Sequence, residues 1–158
     1  MRDLSAFAAL AATAAPERVF DALQSVVMAE VGAVIFSCST FDLTAAKSRR
    51  IHTNLPDIYP LSGLKDIIPN AWTKVVLEGR QAFVANRLED IRNLFPDHQI
   101  IASLGCGSVI NMPVFLAGKF MGTVNVLHEP GYYTADRVAK LQALQPAAML
   151  AFGCLAVG

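Results

Sequence analysis

Two asparagines and one cysteine are the side chains in this sequence whose positions suggest chemistry. Asn111 and Asn125 lie inside two strongly apolar stretches, residues 108–115 and 120–128, and Cys106 lies between two glycines just before the first. A buried amide without a hydrogen-bond partner costs about 1–3 kcal/mol, so each asparagine requires a partner. Two alternatives follow: the amides bond to each other and to loop backbone in a filled core, or they orient a neutral or weakly polar small molecule.

The two apolar stretches predict a β-hairpin with a tight turn at Ala117-Gly118. Because side chains alternate across a strand, each strand carries further residues on the same face as its asparagine. These sets are Val109 with Asn111 on the first strand, and Thr123 and Leu127 with Asn125 on the second. A hairpin centred on Gly118 places the asparagines opposite each other if its loop has three residues, but not if the loop has two.

Cys106 is a candidate for the same site, because Gly105 and Gly107 allow a close approach of the backbone and leave the thiol able to face a cavity. The alternative, a buried and inert cysteine, is the commoner outcome for this residue type. No histidine or basic residue stands near it in the sequence to lower the pKa of its thiol. We therefore place Cys106 among the ligand-binding candidates and predict no catalytic residue.

Other motifs that commonly carry chemistry are not visible in the sequence. The three cysteines are far apart and show no Cys-x-x-Cys or paired His/Cys spacing, so neither a disulfide framework nor a metal site is predicted. There is no Gly-x-Ser-x-Gly elbow, Gly-rich phosphate loop or Ser/His/Asp arrangement. Reduced cysteines fit a cytoplasmic location.

Residues 54–70 contain three prolines and a glycine and predict a long irregular loop. Long loops in compact domains are usually functional lids or mobile segments. Tyr59 within the loop and Trp72 just after it are therefore candidates for the roof of a pocket. Either they fill an aromatic core or they stack on a ligand.

The remaining elements are predicted from hydrophobic spacing and from helix and turn signals. They are a helix over 16–31, strands over 33–41 and 47–53, a short helix over 71–79, a strand over 81–86, helical turns over 88–94 and 98–104, and a closing helix over 135–152 with a kink at Pro146. Mixed strands with helices gathered at the ends predict an α+β fold. His52, on the second strand, is expected to be exposed.

The composition fits one domain with a sizeable apolar core. Of the 158 residues, 54% are hydrophobic and 16% are charged, and 13 basic residues balance 13 acidic ones. A balanced charge gives no field that attracts nucleic acid or anionic lipid, and the one basic cluster, residues 47–50, is favoured as a solvated strand edge. No apolar run approaches the roughly 18 residues of a membrane span. We expect neither a nucleic-acid nor a membrane partner.

Residues 1–15 are rich in alanine and predict a helix that precedes a single domain over residues 16–158. A weak signal peptide is the alternative, but Asp3 interrupts the positive start and the apolar run is rich in alanine rather than leucine. The apolar residues of this helix and of the closing helix predict a homodimer through the terminal helices, since such packing buries stripes that a monomer exposes.

Two segments resemble the GAF domain, a small-molecule sensor module related in fold to PAS domains. They are NAWTKVVLEGRQAFVAN, residues 70–86, and GCGSVINMPVFLAGKFMGTVNVLHEPGYYTADRVAKLQAL, residues 105–144. The resemblance extends over nearly all of the chain from Pro16 and implies a central antiparallel sheet of about five to six strands. It also implies that the N- and C-terminal helices lie on one face of the sheet, and that loops and short helices roof a pocket on the other.

The functional residues of better-known GAF subtypes are not reproduced here. An alignment through Pro113 with free methionine-R-sulfoxide reductase places the catalytic cysteine near Ala102 and the two acidic substrate-binding positions on Val109 and Asn125. Cys106 is at best a displaced replacement. The Asn-Lys…Phe…Asp-Glu signature of cyclic-nucleotide binding and the Cys-His pair typical of bilin attachment are also absent from the sequence.

The residues and the resemblance together predict a sensor domain that binds a small molecule, has no catalytic activity and acts through a dimer or another partner. The predicted ligand-binding residues are Asn111, Asn125, Val109, Thr123, Leu127, Cys106, Tyr59 and Trp72. Two alternatives stay open: a redox enzyme of the methionine-sulfoxide reductase type that uses Cys106, and a ligand-free interaction domain. The sequence identifies neither the ligand nor a cofactor.

Overall fold

One open sheet of six antiparallel strands forms the centre of the computed structural model, which describes residues 3–61 and 63–157. The strands lie in the spatial order β3-β2-β1-β6-β5-β4. They are β1 (Ile35–Asp42), β2 (Lys47–Thr53), β3 (Leu64–Asp66), β4 (Phe83–Ala85), β5 (Ser108–Leu116) and β6 (Lys119–His128). The predicted α+β fold with a central antiparallel sheet is confirmed, with β3 as a short edge strand inside the segment that was expected to be an irregular loop.

Helices cover both faces of this sheet. They are α1 (Ser5–Thr13), α2 (Pro16–Glu30), α3 (Ala71–Thr73), α4 (Leu88–Arg92), α5 (His98–Ser103), α6 (Ala135–Gln142) and α7 (Gln145–Val157), and a π-helical turn, Lys74–Glu78, continues α3. On one face α1, α2 and α7 pack against each other, while α4 and α5 pack together on the opposite face. The terminal helices therefore share a face, as predicted.

Alternating side chains of the central strands divide the core into two clusters. Ile110 and Val126 face the terminal helices, where Phe152 and Leu23 pack against them. The other cluster contains residues of β1, β4, β5, β6, α4 and α5, together with Tyr59 and Cys106 from the connecting segments. Its buried members are Ile35, Tyr59, Ala85, Ile91, Ile101, Cys106, Val109 and Leu127. The strands are thus buried on both faces, which explains their nearly continuous apolar sequence.

The N-terminal helix is part of this packing rather than an appendage. Helix α1 buries Phe7 in the cluster beneath the terminal helices, and Leu4 and Ala11 pack against the same cluster. Met1 and Arg2, at the start of the predicted helix, and Gly158, at the end of the predicted domain, lie outside the described residues.

The closing helix is divided in two, with a bend of 44° between α6 and α7. Pro146 is the second residue of α7, a position where its missing N–H is not needed by the helix. The expected kink near Pro146 is confirmed, and it lies where the new helix α7 begins. Among the described residues no single helix is long and apolar enough to cross a membrane; α6 and α7 reach that length and composition only when taken together.

The hairpin of β5 and β6 aligns the two asparagines through a bulge. Its turn has two residues, Ala117 and Gly118, with φ angles of 50° and 77°, as the tight hairpin turn of this type requires. An extra residue in β6, Met121, then shifts the register and brings Asn111 opposite Asn125. The prediction that only a three-residue loop could align the asparagines is therefore wrong, because the bulge in β6 has the same effect on the register.

A second bulge decides which side chains of β2 face each side of the sheet. Cys38 pairs with His52 and Ser39 pairs with Arg50, so Ile51 is the extra residue. Without it, residues 50 and 52 would share a face. The expectation that His52 is exposed is wrong: its side chain turns under α2 and is 12% exposed.

The burial of His52 predicts a stability that depends on pH. Its ring lies 6.1 Å from the Phe20 ring and 5.6 Å from the Phe36 ring, and its Nε2 is 2.7 Å from Gln24 Oε1. Desolvation lowers the pKa of His52, and the nearby Asp21 carboxylate only partly offsets this. A histidine in the unfolded chain has a pKa of about 6.5, so the unfolded state binds the proton first as the pH falls. We expect the free energy of unfolding to decrease as the pH falls below about 6.5.

Chemical denaturation between about pH 7.5 and about pH 5.5 measures this dependence. His52→Gln is the comparison, because glutamine has a similar polarity and does not titrate. We expect the variant to lose less stability than the wild type over this interval. Equal losses in the two proteins would show that another group causes the pH dependence.

Candidate functional site

A cavity of about 830 Å³ lies between the sheet and the segment that follows β2. Strands β1, β2, β5 and β6 form its floor, and residues of the segment 58–70, Trp72 and residues 94–101 form its cover. Most of the lining surface is apolar. Cavities of roughly 300–1,000 Å³ with a few well-placed polar groups are typical of small-molecule sites.

A chain of hydrogen bonds crosses the cavity floor. The indole Nε1 of Trp72 donates to Asn111 Oδ1 at 2.9 Å, and Asn111 Nδ2 donates to Asn125 Oδ1 at 2.8 Å. Asn125 Nδ2 donates in turn to Ser37 Oγ at 3.3 Å and to Ser39 Oγ at 3.4 Å. Both amides therefore have partners within the protein, while the space above them stays open.

Trp72 is held in place by the start of its own helix. The side chain of Asn70 accepts from Thr73 N at 3.0 Å, and the Thr73 hydroxyl accepts from Asn70 N at 2.9 Å. This reciprocal cap fixes the first turn of α3. The ring of Phe41 stacks against the indole, with 6.0 Å between centroids. The Trp72 N–H thus points to the sheet from a position that is fixed on two sides.

A second polar group lies at the β2 side of the cavity. The guanidinium of Arg50 lies over the ring of Tyr59, 4.6 Å from its centroid, and the Tyr59 hydroxyl donates to Asp97 Oδ2 at 2.8 Å. All three residues line the cavity. Burial lowers the pKa of Arg50, and the nearby Asp97 carboxylate partly offsets this. Burial and Asp97 together raise the pKa of Tyr59, and an arginine stays charged at neutral pH. Among the described residues, no carboxylate lies within 4 Å of this guanidinium.

Most of the predicted site residues lie together. The ones that line the cavity are Tyr59, Trp72, Asn111, Thr123, Asn125 and Leu127. Val109 and Cys106 are buried in the hydrophobic cluster beside the cavity and do not contribute to its lining. Thr123 adds an unusual feature: its Oγ1 is the buried side-chain polar atom that has no hydrogen-bond partner within the described part of the chain. The binding role of these residues stays a prediction.

The surroundings of Cys106 do not activate its thiol. The residue is 3% exposed, and its thiol donates a long hydrogen bond to the carbonyl oxygen of Leu104, 4.0 Å from Sγ. Burial raises the pKa of the Cys106 thiol to about 11. A thiol with such a pKa is protonated at neutral pH and is a poor nucleophile. No cluster of three or more potential metal ligands occurs among residues 3–61 and 63–157.

Among the cavity residues that the sequence did not lead us to predict are Ser37, Ser39, Arg50 and Asp97. The serines had a signal, because they alternate with Phe36 and Cys38 in a buried strand and so mark a polar stripe on one face. Arg50 had no such signal in the sequence, because the face of the sheet on which its side chain lies depends on the bulge at Ile51.

Several solved structures share this architecture. A GAF domain/HD domain protein from Geobacter sulfurreducens aligns over 98% of this chain and 99% of its own, with a TM-score of 0.72 and 13% identity. The GAF domain of a two-component sensor histidine kinase from Bacillus halodurans aligns over 89% and 95%, with a TM-score of 0.65 and 17% identity. The phycocyanobilin-bound GAF domain from a cyanobacterial phytochrome aligns over 97% and 94%, with a TM-score of 0.69 and 14% identity.

The six-stranded antiparallel sheet with helices on both faces matches the GAF-domain fold of these structures. The chain has the GAF-domain fold over nearly its whole length, as its two characteristic segments predicted. No protein-family model matches the sequence. No curated protein matches it at a significant level either. The likeness is therefore one of fold, at identities of 13–17%.

Proposed function

We propose that this domain is a sensor module that binds a small organic molecule in the cavity over β1, β2, β5 and β6 and has no catalytic activity of its own. The observation that carries the proposal is the open cavity of about 830 Å³, whose mostly apolar surface includes a few ordered polar groups. The GAF domains of a sensor histidine kinase and of a phytochrome have the same fold, and the second binds phycocyanobilin.

The surroundings of the two asparagines bear on the alternative of a ligand-free interaction domain with a filled core. Asn111 and Asn125 do bond to each other, as a filled core would require. A filled core would also leave no space beside them, whereas both amides line the cavity. The network therefore forms a polar floor under an open volume, and this arrangement favours ligand binding.

Binding in the cavity should be detectable through Trp72, because it is the single tryptophan of the chain and it lines the cavity. We expect compounds from a fragment screen to shift its fluorescence and to raise the unfolding temperature. Ser48→Phe places a bulky ring on the cavity wall and should weaken the binding of these compounds about tenfold or more. Thr44→Phe, in the exposed turn between β1 and β2, is the matched control and should bind them as the wild type does.

Two results would count against the proposal. One is a screen in which no compound changes the fluorescence of Trp72 or the unfolding temperature. The other is a set of compounds that bind Ser48→Phe and the wild type equally well, since these would occupy another surface.

Transmission of a signal through a dimer is part of the same proposal. Helix α7 exposes Leu150, Leu155 and Val157, and it packs against α1. Exposed apolar side chains on terminal helices favour association. Gel filtration with light scattering tests this, and a monomer at micromolar concentration would contradict it.

A further inference from the structure

The hydrogen-bond chain on the cavity floor has a fixed direction. An indole N–H can only donate, so the oxygen of Asn111 must face Trp72 and its NH₂ group must face Asn125. Asn125 consequently presents its oxygen to Asn111 and its NH₂ group to Ser37 and Ser39. Both serine hydroxyls therefore accept hydrogen bonds from the floor, and their own protons remain available to donate. No acceptor for these protons lies within hydrogen-bond distance in the described part of the chain.

Arg50 adds a positive charge next to these hydroxyl groups. Ser39 is the cross-strand partner of Arg50 on one side and of Thr123 on the other, so the three residues form one row across β2, β1 and β6. Directly opposed residues have Cβ atoms about 4.5–5.5 Å apart. All three line the cavity. The guanidinium donates to Pro60 O at 3.4 Å, which leaves most of its five N–H donors unused.

The acidic groups around the cavity are largely occupied by other partners. Asp97 accepts from the Tyr59 hydroxyl and acts electrostatically on Arg50 without forming a salt bridge with it, and Asp66 bonds to Lys47 at the edge of the sheet. Lys65, also at that edge, adds a further positive charge to the lining. The strands below the cavity thus present donors and a guanidinium that no carboxylate contacts directly.

We propose that the cavity recognises an anionic oxygen group, a carboxylate or a phosphate, carried by a mainly apolar molecule. This inference rests on the proposed function and narrows its ligand class. Arg50 supplies the charge, the hydroxyls of Ser39 and Ser37 donate to the anion, and Ile58, Phe95 and Ile100 contact the apolar body. This ligand differs from the neutral molecule expected from the asparagines. The two amides bond to each other, and Asn125 donates to both serines, so the serine hydroxyls are the groups left to donate to a ligand.

Matched probes test the charge requirement. They are 1-naphthaleneacetate, its neutral analogue 1-naphthaleneacetamide, and 1-naphthyl phosphate, which have the same aromatic body and differ in the polar group. Titration calorimetry measures their binding. We expect an anion to bind at least about tenfold more tightly than the amide, because hydrogen bonds to charged groups are stronger than neutral ones. The better of the two anions identifies the group as carboxylate or phosphate.

The variants separate Arg50 from a general effect of charge. Arg50→Gln should weaken the binding of the preferred anion about tenfold or more and leave the affinity for the amide unchanged. Arg49→Gln is the matched control: this arginine is adjacent in the same strand, is exposed and does not line the cavity, so its removal should change neither affinity. Ser39→Ala should weaken the binding of the anion by a smaller factor.

The possible failures are distinguishable. If the amide binds as tightly as the anions, or if Arg49→Gln and Arg50→Gln have equal effects, the anion inference is overturned while the cavity remains a ligand site. If all three probes fail while other fragments bind in the cavity, the inference is likewise overturned. If no fragment of any charge binds there, the proposed function falls and the inference falls with it.

Discussion

Replacement of Gly122 by alanine should lower the free energy of unfolding by about 3 kcal/mol. A Cβ atom at this position would lie 2.2 Å from the carbonyl oxygen of Ser39 and 2.5 Å from Cε1 of Phe152. Neither neighbour can move freely, because Ser39 is paired on both sides in the middle of the sheet and Phe152 is fully buried. The φ angle of Gly122, 152°, is also one that residues with a side chain rarely adopt.

Gly153→Ala is the matched control for this experiment. A Cβ atom there meets only Leu116 Cδ1, at 3.6 Å, and the residue lies inside α7. Alanine is favoured over glycine in a helix by about 1 kcal/mol, so the control should be neutral or more stable than the wild type. Denaturant unfolding of both variants gives the comparison. If Gly122→Ala were as stable as the control, the close approach of β6 to β1 would not be a rigid feature of the fold.

The sequence predicted the elements well where one local signal was sufficient. Strand β2 was expected over residues 47–53 and is found there, because its polar and β-branched residues are bounded by turn residues. Helix α2 begins at Pro16 as expected. Strand β3 was missed because Leu64, Lys65 and Asp66 are all exposed and carry no alternation. Such an edge strand is defined by its pairing with β2 rather than by its own composition.

The candidate site was predictable only in part, for a reason of register. The asparagines could be placed on one face from alternation alone, although the bulge at Met121 that aligns them could not be foreseen. The same limitation hid Arg50, which the sequence places in a basic cluster. A one-residue shift moves every following side chain to the other face, and it leaves no signal in a single sequence.

Replacement of Asn111 by valine should lower the free energy of unfolding by about 2–3 kcal/mol, even though the two side chains have similar volumes. Asn111 is 4% exposed and is the middle link of the hydrogen-bond chain. Its removal leaves the N–H of Trp72 and the oxygen of Asn125 without their partners. The emission of Trp72 should change as well. Asn93→Ala, at the exposed end of α4, is the control and should stay within about 0.5 kcal/mol of the wild type.

A double-mutant cycle with Trp72→Phe tests whether the effect passes through the indole hydrogen bond. Phenylalanine keeps an aromatic ring and removes the N–H donor, so it also shrinks the side chain and has a packing cost of its own. In the double variant the N–H that Asn111→Val would strand no longer exists. We therefore expect the two substitutions together to cost at least about 1 kcal/mol less than the sum of the single effects. Additive costs would mean that Trp72 and Asn111 are held independently, and that the polar floor of the cavity is not one connected unit.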